Sequence, residues 1–167
     1  PLSETHTVTD VDCFGNSTGA INLSVLGGTS PYTYVWSNGA TTQDISDLAA
    51  GDYTVTITDA NGCTLIKTIT VGQPNAALSL DIIAQTNIEC TGLGSVTVAA
   101  AGGTTPYLYS LDGGIPQASG TYTDLVEGDY TIIVIDANGC TESISIFIAN
   151  SCIALVKTGV FVDANND

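Results

Sequence analysis

The sequence predicts an all-β protein made of two tandem β-sandwich modules, and three observations support that prediction. Several blocks occur twice, most clearly DANGCT at residues 59–64 and again at residues 136–141. Apolar and polar residues alternate between turn signals, which is the pattern of half-buried strands. No stretch shows a helical period, and β-branched residues and turn formers dominate the composition. Repetition at this spacing indicates an array of similar units.

In the first module, alternating segments bounded by turn residues predict six strands. The clearest alternation places Tyr53, Val55 and Ile57 on one face and three threonines on the other. Turn signals of the types GGTSP, SNG and ANG separate the segments. The predicted strands lie at residues 7–11, 20–26, 32–36, 42–48, 53–58 and 65–71.

The second module repeats the same order of segments with one change on the outer face. Ile133 and Ile135 stand where the first module has threonines, so this face is a candidate contact surface. The predicted strands lie at residues 78–88, 95–101, 107–111, 121–125, 130–135 and 143–148.

Six or seven short strands per unit are typical of an immunoglobulin-like (PKD-like) sandwich. We assign residues 1–74 to the first module and 75–150 to the second, and residues 151–167 to a linker and the first strand of a further repeat. The short junction contains proline, which predicts restricted movement between the modules.

Three aromatic residues have predicted structural roles. We expect Trp36 to fill the core of the first module. Tyr53 and Tyr130 each follow a Leu-Xaa-Xaa-Gly-Asp segment, the position of a tyrosine corner, in which the hydroxyl bonds the backbone a few residues upstream.

The charge balance excludes some classes of partner. The chain has 17 acidic residues and two Lys or Arg, a net charge of −15. Such a surface repels nucleic acid and anionic lipid heads, so we expect neither nucleic-acid binding nor membrane insertion. No apolar run reaches the length that spans a bilayer. Five cysteines in a chain of this size suggest an oxidising, extracellular setting.

The cysteines allow two pairing schemes. Cys13 and Cys63 are 50 residues apart (63 − 13), and so are Cys90 and Cys140 (140 − 90), which favours one disulfide within each module and leaves Cys152 unpaired or paired externally. A strictly alternating seven-strand sandwich places the two cysteines of a module at opposite ends. In that case Cys13 approaches Cys140 across the junction, and Cys90 approaches Cys152.

Calcium is the one cofactor that the sequence suggests. Side-chain oxygens at alternate positions beside a glycine can bind Ca²⁺, although the same residues also form Asx turns, the interpretation we favour for the repeated ANG loops. The candidate ligands are Asp59, Asn61, Asp136 and Asn138, with a further set at Asp163, Asn165 and Asp167. No nucleophile and base can be assembled around His6, so we expect no enzyme activity.

Three segments carry a family resemblance. CFG at residues 13–15, GGTSPYTYVWSNG at 27–39 and GDYTVTITDANGC at 51–63 resemble the SprB-type repeat, and the resemblance extends over about residues 6–149. It implies a secreted, non-catalytic module of very long cell-surface adhesins in gliding and related bacteria, often exported by the type IX pathway. It supplies no catalytic residues and no known ligand.

The leading hypothesis is therefore a structural and adhesive segment of a large bacterial surface protein, a stiff spacer with weak contact surfaces. Its expected partners are neighbouring repeats of the same long chain, and surface glycans or other proteins. One alternative is a carbohydrate-binding accessory region of a secreted glycan-active enzyme, using Tyr32, Tyr107 or Tyr122 as sugar platforms. Another is a fibre subunit whose tail, residues 153–162, completes a neighbour's sheet.

Overall fold

The computed structural model describes residues 1–151, which contain twelve β-strands and no helix. In chain order the strands are β1 Ser3–Thr9, β2 Gly19–Leu26, β3 Thr33–Trp36, β4 Ile45–Leu48, β5 Gly51–Thr58, β6 Thr64–Val71, β7 Ser79–Thr86, β8 Gly94–Ala101, β9 Leu108–Leu111, β10 Thr121–Leu125, β11 Gly128–Ile135 and β12 Thr141–Ile148. The predicted all-β fold is confirmed. The predicted first strand of a further repeat lies outside the described residues.

Each module is a sandwich of two three-stranded antiparallel sheets. The first module has the sheets β1-β2-β4 and β3-β5-β6, and the second has β7-β8-β10 and β9-β11-β12. Strands β5 and β6 pair along their whole length, from Gly51 with Val71 to Thr58 with Thr64, and β11 and β12 do the same. Equivalent strands therefore take equivalent places in the two modules.

Each sandwich has a hydrophobic core of its own. The first core consists of Val11, Ile21, Leu23, Trp36, Ile45, Leu48, Val55, Ile57, Ile69 and Val71. The second consists of Leu80, Ile88, Val96, Val98, Tyr109, Leu125, Ile132, Val134, Ile146 and Ile148. No buried residue is shared between them, so each module excludes water from its own interior.

The aromatic residues singled out in the sequence lie at well-defined places. Trp36 is 2% exposed, and its Nε1–H donates to the carbonyl of Thr42 at 2.9 Å. The Tyr53 hydroxyl donates to the carbonyl of Ala49 at 3.0 Å, and the Tyr130 hydroxyl donates to that of Val126 at 3.1 Å. Both tyrosines thus have the geometry of a tyrosine corner.

Predicted and observed bounds differ for several strands, most of all for β1, which runs over Ser3–Thr9 where the sequence predicts residues 7–11. Local contacts explain the differences in two other strands. The segment 42–48 becomes a strand only at Ile45. The Asp44 carboxylate accepts the Leu23 N–H at 2.8 Å, so a side chain takes the place of a backbone partner for β2. In β7 the pairing with β8 shifts after Ile82, and Ile83 is 63% exposed at this bulge.

The two ends of a module can be identified from close contacts. Near the chain start, a Cβ on Gly27 would clash with the Pro1 carbonyl oxygen, and one on Gly28 would lie 3.0 Å from Asp59 Oδ2. At the other end, Gly72 N–H donates to Asp10 Oδ1 at 2.7 Å. The turn at residues 59–63 therefore lies where the chain enters the module, and the loop at residues 10–18 lies where it leaves.

Candidate functional site at the module joint

A disulfide joins the two modules. Cys13 is bonded to Cys140, with their Cα atoms 5.8 Å apart and a sequence separation of 127. Cys63 is free and exposed, and Cys90 is disulfide-bonded. The favoured pairing within each module is therefore wrong, and Cys13 follows the alternative across the junction. Cys152 lies outside the described residues.

The length of the sandwich explains this correction. Cys13 lies at the exit end of the first module and Cys63 at its entry end. Eight-residue strands such as β2 separate these ends by roughly 26 Å, at about 3.3 Å per residue. A disulfide needs Cα atoms within about 7 Å of each other, so the pairing within one module is geometrically excluded. Cys140, at the entry end of the second module, meets Cys13 instead.

The loop at residues 10–18, here called the cysteine loop, is held in shape by Asp12. The Asp12 Oδ1 atom accepts Cys13 N–H at 2.6 Å, the Thr18 hydroxyl at 2.7 Å and Asn16 Nδ2 at 3.3 Å. These bonds, the one from Thr18 first, lower the pKa of Asp12 below its ordinary value. The carboxylate thus fixes the backbone that presents Cys13.

The turn at residues 136–140, here called the docking turn, is built around Asp136. Its Oδ1 atom accepts the N–H groups of Asn138 and Cys140, both at 2.9 Å, and its Oδ2 atom accepts Thr104 N–H at 2.8 Å. Asp136 is 5% exposed, so these bonds compensate for the buried charge. One carboxylate therefore fixes the turn and ties it to the neighbouring loop.

Asn138 and Cys140 together receive the cysteine loop. Asn138 Nδ2 donates to the carbonyl of Asp12 at 2.9 Å and to Thr104 Oγ1 at 3.1 Å. Cys140 Sγ lies 3.5 Å from the same Asp12 carbonyl oxygen. The joint thus combines a disulfide with a hydrogen bond from Asn138, whose side chain is held in place by Thr104.

The peptide junction runs beside the disulfide and is also tied down. Val11 N–H donates to the Gly72 carbonyl at 2.9 Å, and Gly15 N–H donates to Gln73 Oε1 at 2.9 Å. On the second module, Gly103 N–H donates to the carbonyl of Ala76 at 3.0 Å. Two covalent connections therefore cross the joint, and hydrogen bonds from backbone N–H groups fix the peptide connection on both sides.

The first module contains the same turn, and within the described residues no loop of another module is bonded to it. Asp59 Oδ1 accepts the N–H groups of Asn61 and Cys63, both at 2.9 Å, and Asp59 Oδ2 accepts Thr29 N–H at 3.0 Å. These bonds, the one from Cys63 N–H first, lower the pKa of Asp59 below its ordinary value. The geometry of the turn is therefore present before anything docks on it.

The calcium candidates in these turns have a structural role. Three backbone N–H groups already bind each of the carboxylates of Asp59 and Asp136. Within residues 1–151, no three acidic, histidine or cysteine side chains come together in a metal-binding arrangement. Asp163, Asn165 and Asp167 lie outside the described residues. Calcium binding by this chain stays a prediction.

The proposed sugar platforms are partly used by the fold. Tyr32 and Tyr107 are half-buried against the two cores, and their hydroxyls donate to the carbonyls of Gly27 and Gly102. Tyr122 is half-buried against the second core. The described part of the chain has no pocket. Residues 1–151 also contain no helix with the length and apolar character needed to cross a membrane.

Sequence reasoning missed the residues that support the joint. Asp12, Thr18 and Asn138 were not identified as partners, because their contacts span a loop or the module boundary. The available signal was the position of each cysteine relative to the ends of its sandwich. That argument identifies Cys13 and Cys140, but it does not reveal the hydrogen bonds around them.

Several solved structures are similar to the chain. One is the C-terminal 282-residue fragment of intimin in complex with the intimin-binding domain of its translocated receptor, at 17% identity and a TM-score of 0.47, covering 87% of this chain and 65% of that one. Another is the N-terminal eight Ig domains of Down syndrome cell adhesion molecule, at 16% identity and a TM-score of 0.36, covering 90% of this chain and 25% of that one.

No curated protein matches the sequence. The family model described as the SprB repeat matches residues 5–41 and 82–115, one segment in each sandwich. The suspected resemblance is therefore confirmed for these two segments, each of which matches the SprB repeat.

Proposed function

We propose that this chain is a non-catalytic structural and adhesive segment of a large secreted bacterial surface protein, in which it acts as a stiff spacer. The observation that carries the proposal is the double connection between the modules, the peptide junction and the disulfide from Cys13 to Cys140. Two separate cores joined in this way suit a spacer, because each module keeps its shape while the joint limits their relative movement.

The joint resists bending for a geometric reason. Bending about the peptide junction moves Cys13 away from Cys140, and the covalent bond opposes that motion. The hydrogen bond from Asn138 to the Asp12 carbonyl and those from Val11 and Gly103 add further restraint. A pair of modules connected in this way transmits a pulling force through both connections.

Two outer sheet faces are suited to weak contacts. On β3-β5-β6 the residues facing outward are largely threonines, and the Thr54 and Thr68 hydroxyls lie 2.8 Å apart across the strands. In the second module Leu108 pairs with Ile135 on the equivalent face and is 42% exposed. A hydroxyl-rich face on one module and a small apolar patch on the other suit surface glycans or other proteins as partners.

The same features support placement outside the cell. SprB repeats occur in cell-surface proteins, and the disulfide is of the kind that persists in an oxidising compartment. Export by the type IX pathway and a role in gliding motility belong to this proposal. Neighbouring repeats of the same chain are the first expected partners.

Small-angle X-ray scattering tests the spacer role. Two sandwiches arranged end to end, with strands of about eight residues, predict a maximum dimension of roughly 60 to 80 Å. An elongated profile that is unchanged between low and high salt supports the proposal, because the joint is covalent. A compact profile, with the two sandwiches side by side, contradicts it.

A further inference from the structure

The turn at residues 59–63 in the first module is a free copy of the docking turn. Each turn contains an aspartate whose carboxylate binds three N–H groups at 2.8 to 3.0 Å. Asn61 Nδ2 donates to Thr29 Oγ1 at 2.9 Å, as Asn138 Nδ2 donates to Thr104 Oγ1 at 3.1 Å. The two turns therefore present an asparagine and a cysteine from the same framework.

The turns differ in what lies on them. In the second module, Asn138 binds the Asp12 carbonyl and Cys140 is bonded to Cys13. In the first module, the Cys63 thiol is free and exposed. The same turn surface therefore occurs twice. In the second module it is bonded to the cysteine loop of the first module, and in the first module it carries a free thiol.

We propose that the turn at residues 59–63 is a docking and disulfide-forming surface for the cysteine loop of a second copy of this module, joined N-terminal to the first. This inference deepens the proposed function and rests on it, because it extends the same joint along an array. Asn61 receives the backbone carbonyl of the incoming loop, and Cys63 bonds its cysteine.

The covalent step is a thiol–disulfide exchange with a low-molecular-weight disulfide as the oxidant. One thiolate attacks the oxidant and releases one thiol, and the resulting mixed disulfide is then attacked by the second protein thiolate. Two protein thiols lose two protons and two electrons, and the oxidant leaves as two thiols. The new bond joins the incoming cysteine to Cys63.

The spacing of the junction favours this occupant over a small thiol. Leu2 and Leu78 are equivalent, since each lies beside the second glycine of its loop, Gly28 and Gly103 respectively. A copy of residues 1–76 fused directly before Pro1 therefore reaches Leu2 with the spacing that the existing junction has to Leu78. The Gly28 N–H then meets the carbonyl at position 76 of the added copy, as Gly103 N–H meets that of Ala76.

The test is a three-module chain in which a second copy of residues 1–76, carrying Cys63→Ser, precedes the full 167-residue chain, so that the longer chain contains a single Cys63. Both chains are refolded in a glutathione buffer with reduced glutathione in large excess over oxidised glutathione, so that an exposed lone thiol stays mainly reduced. They are then alkylated with iodoacetamide without a further reduction step and mapped by mass spectrometry. In the 167-residue chain, Cys63 should be fully alkylated. In the longer chain, alkylation of Cys63 should fall to background, and a peptide linking Cys63 to the added cysteine loop should appear.

A matched control removes only the incoming cysteine. Cys13→Ser in the added copy should restore full alkylation of Cys63 while far-UV circular dichroism shows that all three modules are folded. Asn61→Ala should make the new disulfide easier to reduce, because the bond from Asn61 to the incoming carbonyl is lost. The ratio of squared reduced to oxidised glutathione concentration that reduces half of the disulfide should fall about fivefold, the effect expected for one hydrogen bond. Cys63 that stays reactive in the folded three-module chain, or that pairs with another cysteine, overturns the proposal.

This experiment separates the inference from the proposed function. Disulfide mapping reports the pairing of cysteines, whereas scattering reports the shape of the chain. A three-module chain with the expected bond but a compact profile contradicts the spacer role alone. An elongated chain with a free Cys63 contradicts the docking surface alone.

Discussion

The two modules share a framework but fill their cores in different ways. Trp36 in the first module corresponds to Leu111 in the second, since Trp36 pairs with Val55 and Leu111 with the equivalent Ile132. Trp36 is buried and Leu111 is half-buried. The comparison shows that the sandwich depends on the volume placed between the sheets more than on one particular aromatic side chain.

The second module recovers the lost aromatic volume with tyrosines. Tyr109 is 7% exposed, whereas its counterpart Tyr34 is half-buried, and the Tyr109 hydroxyl accepts Ala100 N–H at 3.2 Å. Tyr122 packs against the same core, and among the described residues its buried hydroxyl has no hydrogen-bond partner. Burial, followed by the nearby Tyr109, raises the pKa of Tyr122. The buried Tyr122 hydroxyl thus destabilises the second core, and the described residues of the first core contain no equivalent group.

The largest expected effect comes from breaking the connection that the modules share. With the disulfide intact, a module that unfolds first stays attached to its folded neighbour at two points, the peptide junction and the disulfide, and the chain between them forms a closed loop. A closed loop of about 60 residues is worth roughly 4 kcal/mol in the chain-entropy model. We expect Cys13→Ser with Cys140→Ser to lower the stability of the weaker module by up to that amount in urea unfolding.

The control for this pair is Cys63→Ser, which removes a free thiol and leaves the joint intact. It should leave the urea midpoints of both modules unchanged. Equal losses in the control and in the double variant would show that the joint contributes nothing to stability.

The next largest effect is expected from a substitution of Trp36 in the first core. Trp36→Leu gives the first module the residue that the second has, without Tyr122, in whose place the first module has Ile45. We expect a loss of about 3 kcal/mol, because a large buried side chain leaves a cavity and the Thr42 carbonyl loses its donor. The variant has no tryptophan, so circular dichroism in urea should follow this module. A loss below about 1 kcal/mol would mean that the core collapses around the smaller residue.

A smaller gain is expected in the second module. Tyr122→Phe removes the buried hydroxyl that lacks a partner among the described residues, so it should stabilise this module by about 1 kcal/mol in urea unfolding. Tyr53→Phe is the matched control, since its hydroxyl binds the Ala49 carbonyl, and it should destabilise the first module instead. Destabilisation by both changes would contradict the account of the second core.

Lowering the pH should destabilise the folded modules, because it protonates the carboxylates that hold the turns. The folded pKa values of Asp59 and Asp12 lie below the unfolded value, so their stabilisation is fully present above about pH 4 and is lost as the pH falls through the folded pKa. We expect the thermal midpoint to fall steadily below about pH 4. Asp59→Asn should reduce this dependence in the first module, and an unchanged slope would argue against the carboxylate as the organiser of the turn.

The smallest effect concerns calcium. Because backbone N–H groups already bind the carboxylates of Asp59 and Asp136, we expect EDTA to change the thermal midpoint by less than about 1 °C. A calcium-dependent rise of several degrees, lost in Asp136→Asn but retained in Glu142→Gln, would instead identify the docking turn as a metal site.

The sequence predicted the fold well because its signals are local. The alternation through Tyr53, Val55 and Ile57 defines β5, and the Gly-Asp-Tyr segments place both tyrosine corners. The joint could not be predicted in the same way. Equal spacing of cysteines reflects the duplication of the module, whereas pairing depends on which end of a sandwich each cysteine occupies. The contact from Asn138 to Asp12 depends further on how two modules meet.

Disulfide mapping of the oxidised 167-residue chain tests the central claim most directly. Proteolysis under non-reducing conditions, followed by mass spectrometry, should yield a peptide that links Cys13 to Cys140 and leave Cys63 as an alkylatable thiol. A peptide that links Cys13 to Cys63 would contradict the end-to-end joint, and with it the stiffness that the proposed function requires.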